Sequence, residues 1–127
     1  MPQVRKIPQP DSARVDTDAL NRLEMALGQH RSREILSDAC FEIIDRLNRF
    51  DIAVEGGDRD GAYRLSRAIA AIAQEIGLPD LATAARIAAD CQADGDAIAR
   101  NATAQRMVRM AEVSLDTVLG MTLSGGE

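Results

Sequence analysis

An all-α fold, an antiparallel up-down four-helix bundle with a short extra N-terminal helix, is predicted by three observations. Aromatic residues make up only 2% of the 127-residue chain, namely Phe41, Phe50 and Tyr63, whereas hydrophobic residues make up 46%. Such a core is filled by Ala, Leu, Ile and Val at close range. That suits tightly packed helices, because Ala has the highest helix propensity, and disfavours a sheet, which draws on β-branched and aromatic residues. Apolar residues also recur every three or four positions through most of the chain, and glycines interrupt them at intervals that leave helix-length segments.

The elements follow in order. Residues 1–15 hold Pro2, Pro8 and Pro10 among scattered charges without periodicity, and read as a flexible arm. Asp16 or Thr17 caps a first short helix through about Gly28, with Leu20, Leu23 and Leu27 on one face. The second helix is expected from about Ser32, its cap, to Val54, with Leu36, Cys40, Ile43, Ile44, Leu47, Phe50 and Val54 in one stripe. Gly56-Gly57 ends it and Asp58 caps the third helix, about Arg59 to Ile76, whose stripe is Ala62, Leu65, Ile69, Ile72, Ala73 and Ile76.

Gly77 stops that helix and Pro79 opens a fourth, to about Ala93, with Leu81, Ala84, Ala85, Ala88 and Cys91 inward. Asp94-Gly95-Asp96 is a turn with a cap. The fifth helix is expected from about Ala97 to Leu119, with Ile98, Ala102, Val108, Ala111, Leu115, Val118 and Leu119 in its stripe and Met107 and Met110 at the edge. Residues 16–121 form the bundle and residues 122–127 a loose tail. The short connections make consecutive helices antiparallel neighbours.

Net charge is −5; Arg5, Lys6 and Arg14 against Asp11 give residues 1–14 a net +2, leaving −7 for the rest. A duplex-binding domain carries the opposite excess, so nucleic acid is not an expected partner. Charges interrupt every apolar stretch before 18 residues, and the N-terminus lacks the apolar run of a secretory signal; a cytoplasmic protein without membrane association is expected. Cys40 and Cys91 stand in neither a CxxC nor a zinc spacing and are expected as reduced, buried side chains.

Enzymatic constellations are missing from the pattern. His30 is the one histidine, which excludes His-pair metal motifs, and no GxxxxGK[ST] or GxGxxG loop occurs. The acids Glu24, Glu34, Asp38, Glu42, Asp45 and Asp51 read as solvated helix faces, and Ser66 has no base near it in sequence. No catalytic residue, metal or cofactor is expected.

Residues 57–82, GDRDGAYRLSRAIAAIAQEIGLPDLA, carry a more specific signal. Without a gap they resemble the central hairpin of the histidine-containing phosphotransfer (Hpt) family, whose pattern runs G-D-x-x-x-x-x-x-L-x-H-x-L-K-G-x-A-x-x-L-G-x-x-x-L. Gly57, Asp58, Leu65, Ile69, Ala73, Ile76, Gly77 and Leu81 fit it. The family's phosphorylated histidine falls on Arg67, its lysine on Ala70 and its glycine on Ala71. Beyond this segment the likeness is one of helix pattern over residues 32–120.

The resemblance implies a four-helix bundle and a place in two-component signalling, with the chemistry lost. A guanidinium stays protonated and offers no lone pair to phosphorus, so Arg67 cannot replace the imidazole. In the family, the face formed by the two central helices docks on the acidic phosphorylation pocket of a receiver domain. That places the implied partner-binding residues at Arg67, Arg64, Ala68 and Ala71 on the third helix, with Arg46 and Arg49 level with them on the second. The implied partner is a response-regulator receiver domain or a hybrid kinase that carries one, bound by a non-phosphorylatable modulator or scaffold.

Three readings compete with this one. The arginines form scattered salt bridges to Asp45, Asp60 and Glu42. The chain is an unrelated helical module that homodimerises through the same face. Or His30, expected in the turn after the first helix, is a relocated phosphoryl acceptor.

Overall fold

The computed structural model describes residues 13–124, and side chains through residue 121. Five helices run in order: α1 (Thr17–Leu27), α2 (Gln29–Glu55), α3 (Arg59–Glu75), α4 (Pro79–Asp94) and α5 (Ala97–Ser124); no strand occurs among the described residues. Helices α2 to α5 form the bundle. The α3/α4 contact is the most extensive, α2/α3 and α4/α5 follow, and α2 and α5 meet along a thinner seam. Helix α1 packs against α2 at one end.

The turns form where the glycines require them. Gly57 and Gly77 have φ of +74° and +77°, a conformation open to glycine at little cost. Asp58 caps α3 through Gly61 N–H at 2.9 Å, and Asp96 caps α5 through Ala99 N–H at 2.8 Å. Asp16, not Thr17, caps α1, accepting from Ala19 N–H at 3.1 Å.

The core is alanine-rich. In α3, Ala62, Ala70 and Ala73 are buried; in α4, Leu81, Ala82, Ala84, Ala85, Ala88 and Ala89 are. The buried arc of α4 is wider than the expected stripe, because the helix is clasped between α3 and α5. Phe50, Ile43, Ile69, Leu78 and Met107 are the larger side chains that fill the remaining volume.

The structure corrects several expectations. Helix α2 starts at Gln29, directly after Gly28, so His30 lies in its first turn and not in a loop. Ser32 does not cap it; its hydroxyl donates to Gln29 O at 3.0 Å inside the first turn. Ile44 and Val54 are exposed, and Ala53 takes the inward position at the end of α2.

Helix α5 continues through Ser124, past its expected end at Leu119 and into the expected tail; residues 125–127 lie outside the described residues. Its stripe is rotated. Ile98 is 81% exposed and Ala102 is exposed, while Met107 and Met110 sit in the core, not at its edge. Cys91 is half-buried and Cys40 fully buried, both as free thiols.

Most of the expected arm, residues 1–12, lies outside the described residues, but residues 13–15 are held in place. Ala13 and Val15 pack on the core. Arg14 grips Asp80 at the start of α4: its backbone N–H donates to Oδ2 at 2.8 Å, Nε to Oδ1 at 3.0 Å and Nη2 to Oδ1 at 2.6 Å. Asp16 N–H adds a bond to Gly77 O at 2.8 Å.

The hydrogen bonds from the Arg14 side chain and backbone hold the Asp80 carboxyl below its ordinary value. A depressed carboxylate stabilises the fold above its unfolded value and loses that contribution as pH falls through the folded one. Asp80→Asn is therefore expected to lower the denaturant midpoint at neutral pH. The gap to wild type should close as the pH falls below the ordinary carboxylate value of 3.8. The alanine packing makes a second prediction. Ala85→Leu, at a position with no exposed surface, should cost about 1–3 kcal/mol in chemical denaturation.

Candidate functional site

The outer face of α3 is built by its amphipathicity. Ala62, Ser66, Ile69, Ala70 and Ala73 turn inward, which leaves Arg64, Arg67 and Ala71 outward on successive turns. Ala68 is half-buried on the flank of the helix. Ser66 is sealed in the core, its hydroxyl donating to Ala62 O at 2.8 Å, so it is no nucleophile.

The four arginines of the expected face differ in their partners. Arg64 pairs with Asp60 at 2.7 Å, Arg49 with Asp45 at 3.1 Å and Arg46 with Glu42 at 3.8 Å, each one turn away on its own helix. These are the three carboxylates named in the salt-bridge reading of the sequence. Such exposed pairs contribute little stability, but they balance the charge of each arginine.

Arg67 is different. Among the described residues it has no carboxylate partner. Its guanidinium lies 5.9 Å from the centre of the Tyr63 ring, with Nη1 3.5 Å from the Tyr63 hydroxyl. A cation–π contact of this kind supports the guanidinium without neutralising it. Tyr63 was not among the residues singled out in the sequence, although its spacing of four from Arg67 is the signal that finds it.

The position that the Hpt pattern gives to lysine, Ala70, is 4% exposed and belongs to the core. The position given to glycine, Ala71, is exposed. The surface beside Arg67 is therefore low, with one methyl group and no long side chain at the next turn. His30 sits far along α2 from these residues, at its first turn, with Nε2 3.6 Å from Glu34 and its side chain 91% exposed.

Other chemistry finds little purchase. Among the described residues, no group of three His, Cys, Asp or Glu is placed to hold a metal ion, and no helix is long and apolar enough to cross a membrane. The hollows between helices are open to solvent.

The comparison with solved structures bears directly on this geometry. The crystal structure of histidine-containing phosphotransfer protein B from Pseudomonas aeruginosa PAO1 superposes with a TM-score of 0.80, covering 92% of this chain and 98% of that one at 14% identity. The chain has the fold of a histidine-containing phosphotransfer protein. No family model and no curated protein matches the sequence. At this identity the agreement is one of fold, and it extends over the whole bundle, beyond the single hairpin in which the sequence pattern was found.

The two thiols serve as probes of the site's surroundings. Burial pushes the Cys40 thiol up from its ordinary value, and thiolate is the reactive form. In the native protein, a disulfide reagent such as DTNB is expected to modify half-buried Cys91 at least about ten-fold faster than Cys40. Equal rates would show that the α2 core opens more readily than its packing implies.

Proposed function

We propose that this chain is a degenerate Hpt-like protein that binds a receiver domain, alone or within a hybrid kinase, and modulates or scaffolds two-component signalling without relaying phosphoryl groups. One observation carries the reading. At the position of the family's histidine stands Arg67, outward on α3, unpaired with any carboxylate among the described residues and held against Tyr63. The whole-length likeness to an Hpt fold supports it.

The chemistry follows from the side chain. A guanidinium has five donors and no acceptor, so it takes no phosphoryl group and instead binds carboxylates. Docked as an Hpt face docks, Arg67 meets the acceptor aspartate of the receiver. An unphosphorylated aspartate accepts a charge-assisted bond worth about 1.5–3 kcal/mol. Phosphorylation adds bulk at the same place, so the unphosphorylated receiver is the preferred partner. Arg64, Arg46, Arg49, Ala68 and Ala71 surround the contact.

A second reading has its own observation. Phe41, Ile44 and Ile52 are exposed by 67%, 39% and 69% along one side of α2. That apolar line fits a self-associating helical module better than a solvated flank. Sedimentation of wild type and Phe41→Ser separates the readings: a dimer that Phe41→Ser dissociates supports self-association, and a monomer removes it.

The receiver reading is tested by pulldown against the receiver domains of the source organism, with and without phosphorylation. Binding to an unphosphorylated receiver, weakened about ten-fold by Arg67→Ala, is expected; that ratio corresponds to about 1.4 kcal/mol. A receiver that binds Arg67→Ala as tightly as wild type takes Arg67 out of the mechanism. In the same system the chain should acquire no acid-labile, base-stable phosphate. Label that His30→Ala abolishes would make His30 an acceptor and overturn the degenerate assignment.

A further inference from the structure

At the end of the bundle where the α2–α3 and α4–α5 turns meet, a hollow of about 240 Å³ lies between the helices. Its wall is apolar on one side, from Val54 and Ala104, and polar on the other, from Arg59, Gln92, Arg100 and Asn101. Gln92 stands out among these. It is 4% exposed, yet its side-chain amide makes no hydrogen bond among the described residues, where only its backbone carbonyl is used, accepting from Arg59.

Its amide atoms still meet solvent, so they can exchange water for a ligand group. The amide is not sealed in: Ser114 Oγ is the one fully enclosed side-chain polar atom without a partner among the described residues. The small remaining exposure of Gln92 opens toward the hollow and its neighbour, both of which it lines.

The two guanidiniums are anchored with donors to spare. Arg59 donates through Nε to Gln92 O at 3.0 Å and through Nη2 to Ala93 O at 3.3 Å, which leaves Nη1. Arg100 donates through Nη1 to Gly95 O at 2.9 Å, which leaves Nε and Nη2. Neither has a carboxylate partner among the described residues. The one acid at the rim, Asp58, is engaged by Gly61 N–H at 2.9 Å. Fixed cations, a buried amide with unused donor and acceptor, and a short apolar wall make one kind of complement.

We infer that this hollow is a binding site for a small organic carboxylate with a short aliphatic part. The carboxylate takes the free donors of Arg59 and Arg100, the Gln92 amide completes its hydrogen bonds, and the aliphatic part lies against Val54 and Ala104. The volume sits below that of a drug-sized pocket, which limits the ligand to a few carbon atoms. The hollow is lined by none of the residues of the Arg67 face, and ligand binding there does not require a receiver.

Arg59 and Gln92 also border a second hollow closed by Tyr63. Tyr63 is the one tyrosine, in a chain without tryptophan, so intrinsic fluorescence reports on this end of the bundle without interference.

The test is an amide NMR titration of the full chain with sodium butyrate, and with butyramide as the neutral control. Saturable shifts are expected for the Gln92 and Asn101 side-chain amides and for the backbone at 57–60 and 97–101, with a dissociation constant on the order of 1 mM. Gln92→Leu should weaken butyrate binding ten-fold or more without lowering the melting temperature. Arg100→Gln should weaken it similarly, and stands in should the leucine variant not fold.

The inference is overturned by no saturation, by equal binding of butyramide, or by shifts scattered over exposed arginines such as Arg22 and Arg31. Unchanged butyrate binding by both variants overturns it as well.

Discussion

The close approach of α3 to α4 is the constraint on which the rest of the molecule depends. With two phenylalanines and one tyrosine in 127 residues, the core holds a single fully buried ring, Phe50, so elsewhere the helices must come together until alanine methyls touch. Ala73, Ala85 and Ala88 retain no exposed surface. Dispersion falls steeply with separation, so an interface of small side chains is worth its full value only at contact. That requirement fixes α3 in rotation as well as in position. Once Ala62, Ala70 and Ala73 are committed inward, Arg64, Arg67 and Ala71 face outward. The packing thus creates the candidate face as well as the fold.

The same constraint governs how α1 is held. It has no fully buried residue of its own and contacts the bundle mainly through α2. Its position is set by polar bonds at its entry: Arg14 on Asp80 and Asp16 N–H on Gly77 O. The second bond brings the chain so near Gly77 that a Cβ there would lie 3.0 Å from Asp16 O. Gly77 therefore has two reasons to be glycine, its positive φ and this approach, and one residue joins the α3–α4 turn to the start of the chain's described part.

Most of the fold was legible because its signals are local. Gly57, Gly77 and Asp58 act within one turn of themselves, and three of the helices begin and end close to where those residues place them. The misreadings have a different character. Gly28 ends α1 and begins α2 with no loop between, at φ +88°, whereas Ser32 mimics a cap whose hydroxyl is in fact spent inside the helix. In α5 the buried line runs through Met107, Met110, Ser114, Leu115 and Val118, and a serine in that line hides it. Ile98 has the spacing of a core residue but lies where no neighbouring helix covers it. The candidate face was half legible: the arginines could be picked out, but their division into three paired and one unpaired depends on rotamers, which no spacing reveals.

That division decides how the face can work. A cluster of four free guanidiniums would project a field over a Debye length and draw any acidic partner by long-range attraction. With Arg46, Arg49 and Arg64 each facing a carboxylate on its own helix, the far field largely cancels and a single positive centre remains at Arg67. Tyr63 restricts that centre without discharging it, so less conformational freedom is lost when a partner's carboxylate arrives. A face of this kind discriminates by contact geometry more than by net charge. Under the proposed function, its affinity would reside in what Arg67 touches directly, and its dependence on salt would be correspondingly shallow. An acidic surface without a carboxylate shaped to receive Arg67 would gain little from it, which is what the proposed modulator role requires.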